Sequence, residues 1–306
     1  MWIAENWKEY RVLDTSGGEK LENWAGYVLV RPDPQVIWDS GKKAQGWRRP
    51  NAQYHRSQRG GGEWEFFDLP EQWELHYALP AASEAEKGSV QDSPMLTFHL
   101  KPFAFKHTGV FPEQAANWDW SYQNLRRFAE TYGRAPRVLN LFAYTGGASL
   151  AAAAAGAEVT HVDASRGMVS WAKENAVSSG LGDAKIRWLV DDCGKFVERE
   201  LRRGRRYDAI IMDPPSYGRG PKGEIWKIEE SIFPFVQRCA QLLSDTPCFF
   251  LINSYTTGLQ PGVLTYLLRL SLLPLFGGSA VSDELGLPVA DDNVLPCGAC
   301  GRWTAD

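Results

Sequence analysis

Apolar and polar positions follow two different rhythms along this chain, and the change comes near residue 120. Before it, apolar residues come in short runs cut by proline and glycine. Tyr27 to Pro32, Gln35 to Trp38, Glu63 to Phe67, Trp73 to Tyr77 and Met95 to Leu100 each read as a short strand. Arg59 to Gly62 and the small, acidic stretch Ala81 to Pro94 read as loops. After the change, the pattern alternates between strand and helix. Strands are predicted over 137–144, 158–163, 186–191, 207–213 and 247–253. Helices are predicted over 120–132, 148–156, 166–180, 193–203, 229–243 and 261–271, with Gly156 and Gly180 as stops. Such alternation implies a parallel sheet with helices on both faces, behind a small β-rich amino-terminal module. The expected division is 1–115 for the module and 116–306 for the α/β domain.

Composition narrows the class. With 44% hydrophobic and 23% charged residues the chain is ordinary for a globular protein, and 306 residues allow one large or two modest domains. A net charge of −4 gives no global attraction to nucleic acid, so RNA binding would need a local basic patch. The most apolar stretch, Val263 to Phe276, holds Arg269 and Pro274 and is too short to span a bilayer. The start lacks a basic segment followed by an apolar run, so no secretory signal is expected. Five unevenly spaced cysteines fit a reducing cytoplasm, the expected location. The 13 tryptophans are spread along the chain and read as packing residues.

Three strand ends carry unusual chemistry. Gly146-Gly147 follows the first α/β strand and opens a helix, whose free N–H groups suit a carboxylate or phosphate. The G-x-G-x-x-G fingerprint is absent, which argues against a nicotinamide cofactor. Asp163 ends the second strand, where an acidic residue can accept hydrogen bonds from ribose hydroxyls; capping the next helix is the competing role. Asp191-Asp192 ends the third. One of them suits the amino group of adenine and the other a helix cap, with Asp192 favoured for adenine. Asp213-Pro214-Pro215 ends the fourth. Its prolines remove two N–H donors, and the surrounding carbonyls are expected to face the cleft as acceptors beside the Asp213 carboxylate. Tyr217 can stack on a flat substrate.

The strings Leu139-Asn140-Leu141-Phe142-Ala143-Tyr144-Thr145-Gly146-Gly147, Val162-Asp163-Ala164-Ser165, Asp191-Asp192 and Asp213 to Gly220 resemble class I S-adenosylmethionine-dependent methyltransferases. More narrowly they resemble the bacterial branch acting on cytosine C5 and guanine N7 of large-subunit ribosomal RNA. Lys106 to Gln114 resembles the lead-in segment of that branch, and the likeness covers about residues 100–306. It implies a Rossmann-like α/β methyltransferase sheet, S-adenosylmethionine as cofactor and ribosomal RNA as partner. It also implies cofactor contacts from Phe111, Gln114, Tyr144, Thr145, Gly146, Asp163, Ala164, Asp192 and Asp213. Tyr144, Thr145 and Gly146 would surround the methionine part. Asp213, Pro214, Pro215 and Tyr217 would form the catalytic loop, with Asp213 and Pro214 facing the acceptor.

The chain departs from that branch in two places. C5 chemistry needs a thiolate, and the positions where the branch carries it hold Ser216-Tyr217 and Asn253-Ser254-Tyr255 here. Transfer to nitrogen, or to oxygen with a general base, is therefore favoured over C5, with nitrogen the expected acceptor. A protein or small-molecule acceptor, or a binding role without catalysis, are the alternatives. The amino-terminal module is of mixed charge and lacks an obvious match to a known RNA-binding module.

Arg202 to Arg206 reads as a solvated helix end more readily than a phosphate contact. Arg219, Lys222 and Trp226 suit a lid over the acceptor, with Trp226 more readily packing than stacking. Cys297-Gly298-Ala299-Cys300 lacks a second ligand pair for zinc and reads as an edge strand. His107 and His161 read as structural.

Overall fold

The computed structural model describes residues 1–57, 61–81, 93–103, 106–219 and 225–305. Its centre is an eight-stranded sheet. The strands are β1 (Trp2–Ile3), β9 (Arg137–Leu141), β10 (Glu158–Asp163), β11 (Ile186–Val190), β12 (Ala209–Met212), β15 (Phe249–Ser254), β16 (Ser279–Pro288) and β17 (Val294–Thr304). Their order is β1-β16-β17-β15-β12-β9-β10-β11. β15, β12, β9, β10 and β11 run parallel, and β17 is antiparallel to both β15 and β16. The chain runs from β9 outward through β10 to β11, then returns to the other side of β9 for β12. That reversal opens a crevice at the carboxyl ends of β9 and β12.

Successive side chains of each strand point to opposite faces, and the core divides accordingly. Val138, Ala209, Ile211 and Leu251 face one layer, with α1 (Ala115–Tyr132) and α2 (Gly147–Ala154). Leu139, Leu141, Ile210, Met212 and Ile252 face the other, with α4 (Cys193–Arg202), α5 (Ile228–Ala240) and α6 (Pro261–Phe276). α3 (Arg166–Ser178) joins β10 to β11.

The amino-terminal part holds a five-stranded sheet in the order of β2 (Tyr10–Ser16), β3 (Glu19–Trp24), β4 (Tyr27–Pro32), β5 (Ala52–Arg56) and β6 (Gly62–Phe66). A separate hairpin pairs β7 (Trp73–Ala78) with β8 (Met95–Leu100). Trp7, Tyr10, Leu75, Tyr77 and Phe98 join the same apolar cluster as Trp118 and Leu150, so these strands cover one face of the α/β layer.

Three of these strands, β2, β3 and β5, were not foreseen, nor was β16 of the central sheet. β2 and β3 read as polar because their core is ionic. The buried Glu22 carboxylate accepts from Arg31 Nε at 2.6 Å, Arg31 Nη2 at 2.7 Å and the Tyr10 hydroxyl at 2.7 Å. Lys20 lies 3.2 Å from Asp33. Burial opposes the Glu22 charge, but Arg31 and Lys20 outweigh it and hold its carboxyl at about 2.

Other expectations shift in detail. Gln35 to Trp38 forms no strand. α6 continues past residue 271 through Pro274 to Phe276, because proline in the last turn forfeits only one hydrogen bond and Gly277 receives the helix end. β17 is not an edge strand: β16 covers it, and the described edges are β1 and β11. β1 reaches this sheet from the amino-terminal span and pairs in parallel with β16. Residues 82–92, within the expected Ala81 to Pro94 loop, and Arg59, Gly60 and Lys222 lie outside the described residues.

Candidate active site

The loop from β9 to α2 is built on unusual backbone. Phe142 and Tyr144 adopt φ of 56° and 49°, and Gly146 92°. For residues with a Cβ such angles store strain, which the surroundings must hold. Three bonds hold it here. Phe142 N donates to Cys193 Sγ at 3.3 Å, Ala143 N to the Val162 carbonyl at 3.1 Å, and Tyr144 N to Asp163 Oδ2 at 2.9 Å. Thr145 donates through its hydroxyl to the Gly109 carbonyl at 2.6 Å, tying the lead-in segment across the loop.

The two glycines serve different needs. Gly146 supplies the left-handed turn. A Cβ on Gly147 would lie 2.4 Å from Trp118 Cζ2, so close packing against α1 requires this glycine. Gly147→Ala is expected to cost about 1–3 kcal/mol through overpacking, read as a lower urea midpoint with an unchanged slope. No side chain caps α2, so its first N–H groups remain available to an anion in the crevice.

A cleft of about 60 Å³ lies at this point, lined by Phe111, Gln114, Tyr144, Thr145, Gly147 and Asp213 among others. The Phe111 ring lies 5.3 Å from Tyr144 and 5.8 Å from Tyr255. The Tyr144 hydroxyl is buried without a hydrogen-bond partner. Gln114 is largely committed to the protein. Its Nε2 donates to the Tyr255 hydroxyl at 2.6 Å, and its Oε1 accepts from Asn117 at 3.0 Å and Asn253 at 3.1 Å. Arg302 from β17 completes this network by donating to Asn117 Oδ1 at 2.7 Å.

Asp163 stands half-buried at the end of β10. One carboxylate oxygen accepts from Tyr144 N and the other from Ser165 N at 2.8 Å. Burial raises its pKa, and the two amides oppose the rise. The cap of α3 is Ser165, so Asp163 is not the helix cap, and each of its oxygens retains a second lone pair. Ala164 follows, exposed in the same turn. At the end of β11, Asp192 caps α4 by accepting from Lys195 N at 2.9 Å, and Asp191 pairs with Arg199. The cap thus falls to the residue expected at adenine, although Oδ2 of Asp192 receives none of the described hydrogen bonds.

Asp213 follows β12. Burial, with the nearby Glu113 carboxylate second, pushes its carboxyl up to about 7. The Asp-Pro-Pro carbonyls do not all face the cleft as expected: Trp226 Nε1 donates to the Pro215 carbonyl at 2.7 Å. Trp226 otherwise packs between Phe142 and Phe235, at 5.7 and 5.5 Å. Pro214 is buried and Pro215 exposed, and Tyr217 is exposed in β13 (Tyr217–Arg219), which pairs with β14 (Ile225–Lys227). His161 is buried beside Ser149, and burial lowers its pKa to about 3. No group of metal-binding side chains occurs among the described residues.

Sequence reasoning missed Gly109, Asn117, Tyr255 and Arg302. Gly109 carried a signal, standing between Thr108 and Val110 in the lead-in segment: its φ is 111° and a Cβ would lie 2.5 Å from Trp171. The other three had none, since they meet only through folding.

An open α/β sheet with an aromatic crevice, a helix amino terminus and a strand-end carboxylate defines a nucleoside-cofactor enzyme. Comparison with known proteins makes this specific. Residues 106–242 match the family model described as S-adenosylmethionine-dependent methyltransferase. The S-adenosylmethionine-dependent methyltransferase of Agrobacterium tumefaciens is 36% identical, with a TM-score of 0.85, and the match covers 99% of this chain and 93% of that one. The chain belongs to the S-adenosylmethionine-dependent methyltransferase family. A Streptococcus mutans protein, 17% identical over 98% of this chain and 76% of its own with a TM-score of 0.68, shares the fold. Ribosomal RNA large subunit methyltransferase K/L of Shewanella frigidimarina is 31% identical over 149 residues, 48% of this chain. The chain spans about a fifth of that relative's length, 20%. No described helix is long and apolar enough to cross a membrane.

Proposed function

We propose that this methyltransferase modifies a ring or exocyclic nitrogen of a nucleobase in ribosomal RNA. The observation that carries the choice of atom is the half-buried Asp213 carboxylate at the crevice mouth, in a cleft that no described cysteine lines. Cys193, Cys297 and Cys300 do not suit covalent attack: Cys300 donates to Asn117 Oδ1 at 3.3 Å, and burial pushes its thiol up to about 12. Cys193 accepts from Phe142 N, and Cys297 donates to the Leu295 carbonyl at 3.4 Å. Burial pushes both thiols up, so neither is a thiolate at neutral pH.

The residues fit the cofactor. The second lone pairs of Asp163 suit two ribose hydroxyls, Oδ2 of Asp192 suits the adenine amino group, and the α2 amides suit the carboxylate. Phe111 and the unpartnered Tyr144 hydroxyl flank the middle of the crevice. Bound S-adenosylmethionine supplies an electrophilic methyl group. Asp213, as the carboxylate, would accept a hydrogen bond from the N–H of the acceptor, orient its lone pair in line and take up the proton the nitrogen loses on methylation, Tyr217 would offer a stacking surface, and the aromatic walls would exclude water. Ribosomal RNA is favoured because the relatives in sequence carry that substrate in their names. A cytoplasmic location follows from it. We assign residues 116–306 to the methyltransferase domain and 1–115 to the β-rich module.

The test is methyl transfer from radiolabelled S-adenosylmethionine into extract of cells lacking the protein, divided by nuclease and protease digestion. Nuclease-sensitive label with a methyl group on base nitrogen is expected. Protease-sensitive label, or 5-methylcytosine, overturns the reading.

A further inference from the structure

A second cleft, of about 320 Å³, lies between the amino-terminal sheet and the lead-in segment, lined by Pro32, Pro34, Tyr54, Arg56, Lys106 and His107. It adjoins the active site: the His107 ring meets Phe111 edge-on at 5.3 Å, and Phe111 lines the cofactor crevice. Its walls are fixed. Arg31 Nη1 donates to the Lys106 carbonyl at 2.9 Å, and Lys106 Nζ to the Pro32 carbonyl at 2.8 Å, binding the two walls together.

Its chemistry is that of an anion site. Arg56 ends β5 with an exposed side chain that forms no described ion pair or hydrogen bond. Lys106 lines the same cleft, its ammonium held by the Pro32 carbonyl. Pro32 and Pro34 carry no N–H groups. The Tyr54 hydroxyl is buried and has no hydrogen-bond partner, a cost that a ligand oxygen would remove. The positive field is felt by His107, whose pKa burial, Arg31, Lys106 and Lys20 together lower to about 4.

Resting on the RNA reading above, we infer that this cleft holds a sugar–phosphate unit of the RNA strand beside the methylated nucleotide. Arg56 would take the phosphate and Tyr54 an oxygen of the same unit, so the amino-terminal module would position the strand. The larger basic surface elsewhere is the weaker candidate. It lies at the amino ends of the sheet strands, away from the crevice, and several of its cations are already engaged: Arg203 and Arg187 pair with Glu200, at 3.1 and 3.8 Å, and Arg137 with Asp208 at 3.7 Å.

The experiment compares wild type, Arg56→Glu, Tyr54→Phe and the double variant Arg205→Glu/Arg206→Glu. The substrate is deproteinised large-subunit ribosomal RNA from cells lacking the protein. Arg56→Glu is expected to raise KM for RNA about tenfold and to lower the salt slope of binding by about 1. S-adenosylhomocysteine affinity should stay unchanged and kcat within about twofold. Tyr54→Phe, which keeps the ring and the fold, should raise KM several-fold by the same route. The double variant should match wild type. Wild-type KM and salt slope in both Arg56→Glu and Tyr54→Phe overturn the site while leaving the RNA reading intact. A wild-type enzyme that methylates no RNA overturns both, and that arm is read before any variant.

Discussion

Asp163→Ala is expected to weaken binding of S-adenosylmethionine at least tenfold, about 1.4 kcal/mol or more. The carboxylate sits where β10 ends, and each oxygen already receives one backbone N–H, from Tyr144 and Ser165. Those bonds aim the remaining lone pairs outward from the strand end. A hydrogen bond to a charged acceptor contributes about 1.5–3 kcal/mol, so losing even one ribose contact meets the expected threshold. The substitution also releases Tyr144 N, and with it one of the restraints on a strained loop. Asp163→Asn separates the two effects, since its amide oxygen still accepts from one backbone N–H. Calorimetric titration with S-adenosylhomocysteine measures both variants. Equal affinity in wild type and Asp163→Ala would sink the ribose assignment.

Asp213→Asn is expected to lower kcat at least about a hundredfold, some 2.7 kcal/mol on the barrier, while S-adenosylhomocysteine affinity changes little. The carboxylate is proposed to accept an N–H of the incoming base, and the amide that replaces it keeps one acceptor oxygen but is neutral and sets an NH2 donor in place of the second. With the carboxyl at about 7, transfer by the wild-type enzyme should fall as pH drops through neutrality. Stability should move the other way. The folded pKa lies above the ordinary value of 3.8, so ionising this group costs stability as pH rises from there to about 7. The Asn variant escapes that cost, and its melting temperature at pH 8 should equal or exceed that of wild type. Lost transfer in a protein no less stable than wild type marks a role at the acceptor. Retained transfer would remove Asp213 from the mechanism.

Much of the α/β layer was legible because burial on both faces leaves uninterrupted apolar runs. Ala209 to Met212 and Phe249 to Ile252 could only be central strands. The carboxylates at the strand ends were legible for the same reason, since a charge directly after such a run must lie at the edge of the sheet. β2 and β3 were hidden by their own solution to burial. Lys20, Glu22 and Arg31 look like surface residues one at a time and become core residues only as a paired set. The Gln114–Asn117–Asn253–Arg302 network was hidden because its members are distant in sequence. The role of Asp192 as cap was an open alternative, since cap and adenine contact ask for the same residue type at the same position.

The pairing of β1 with β16 has a consequence for how the chain is made. β1 (Trp2–Ile3) is made before its only described partner strand, β16 (Ser279–Pro288). Until then Trp2 and Ile3 have an open edge and no ladder. Contacts of this span close slowly, and partly built chains of this size expose apolar surface while they wait. The catalytic sheet is thus sealed at this edge only after β16 has been made. Truncated or stalled products should be poor folders even when every cofactor residue is present.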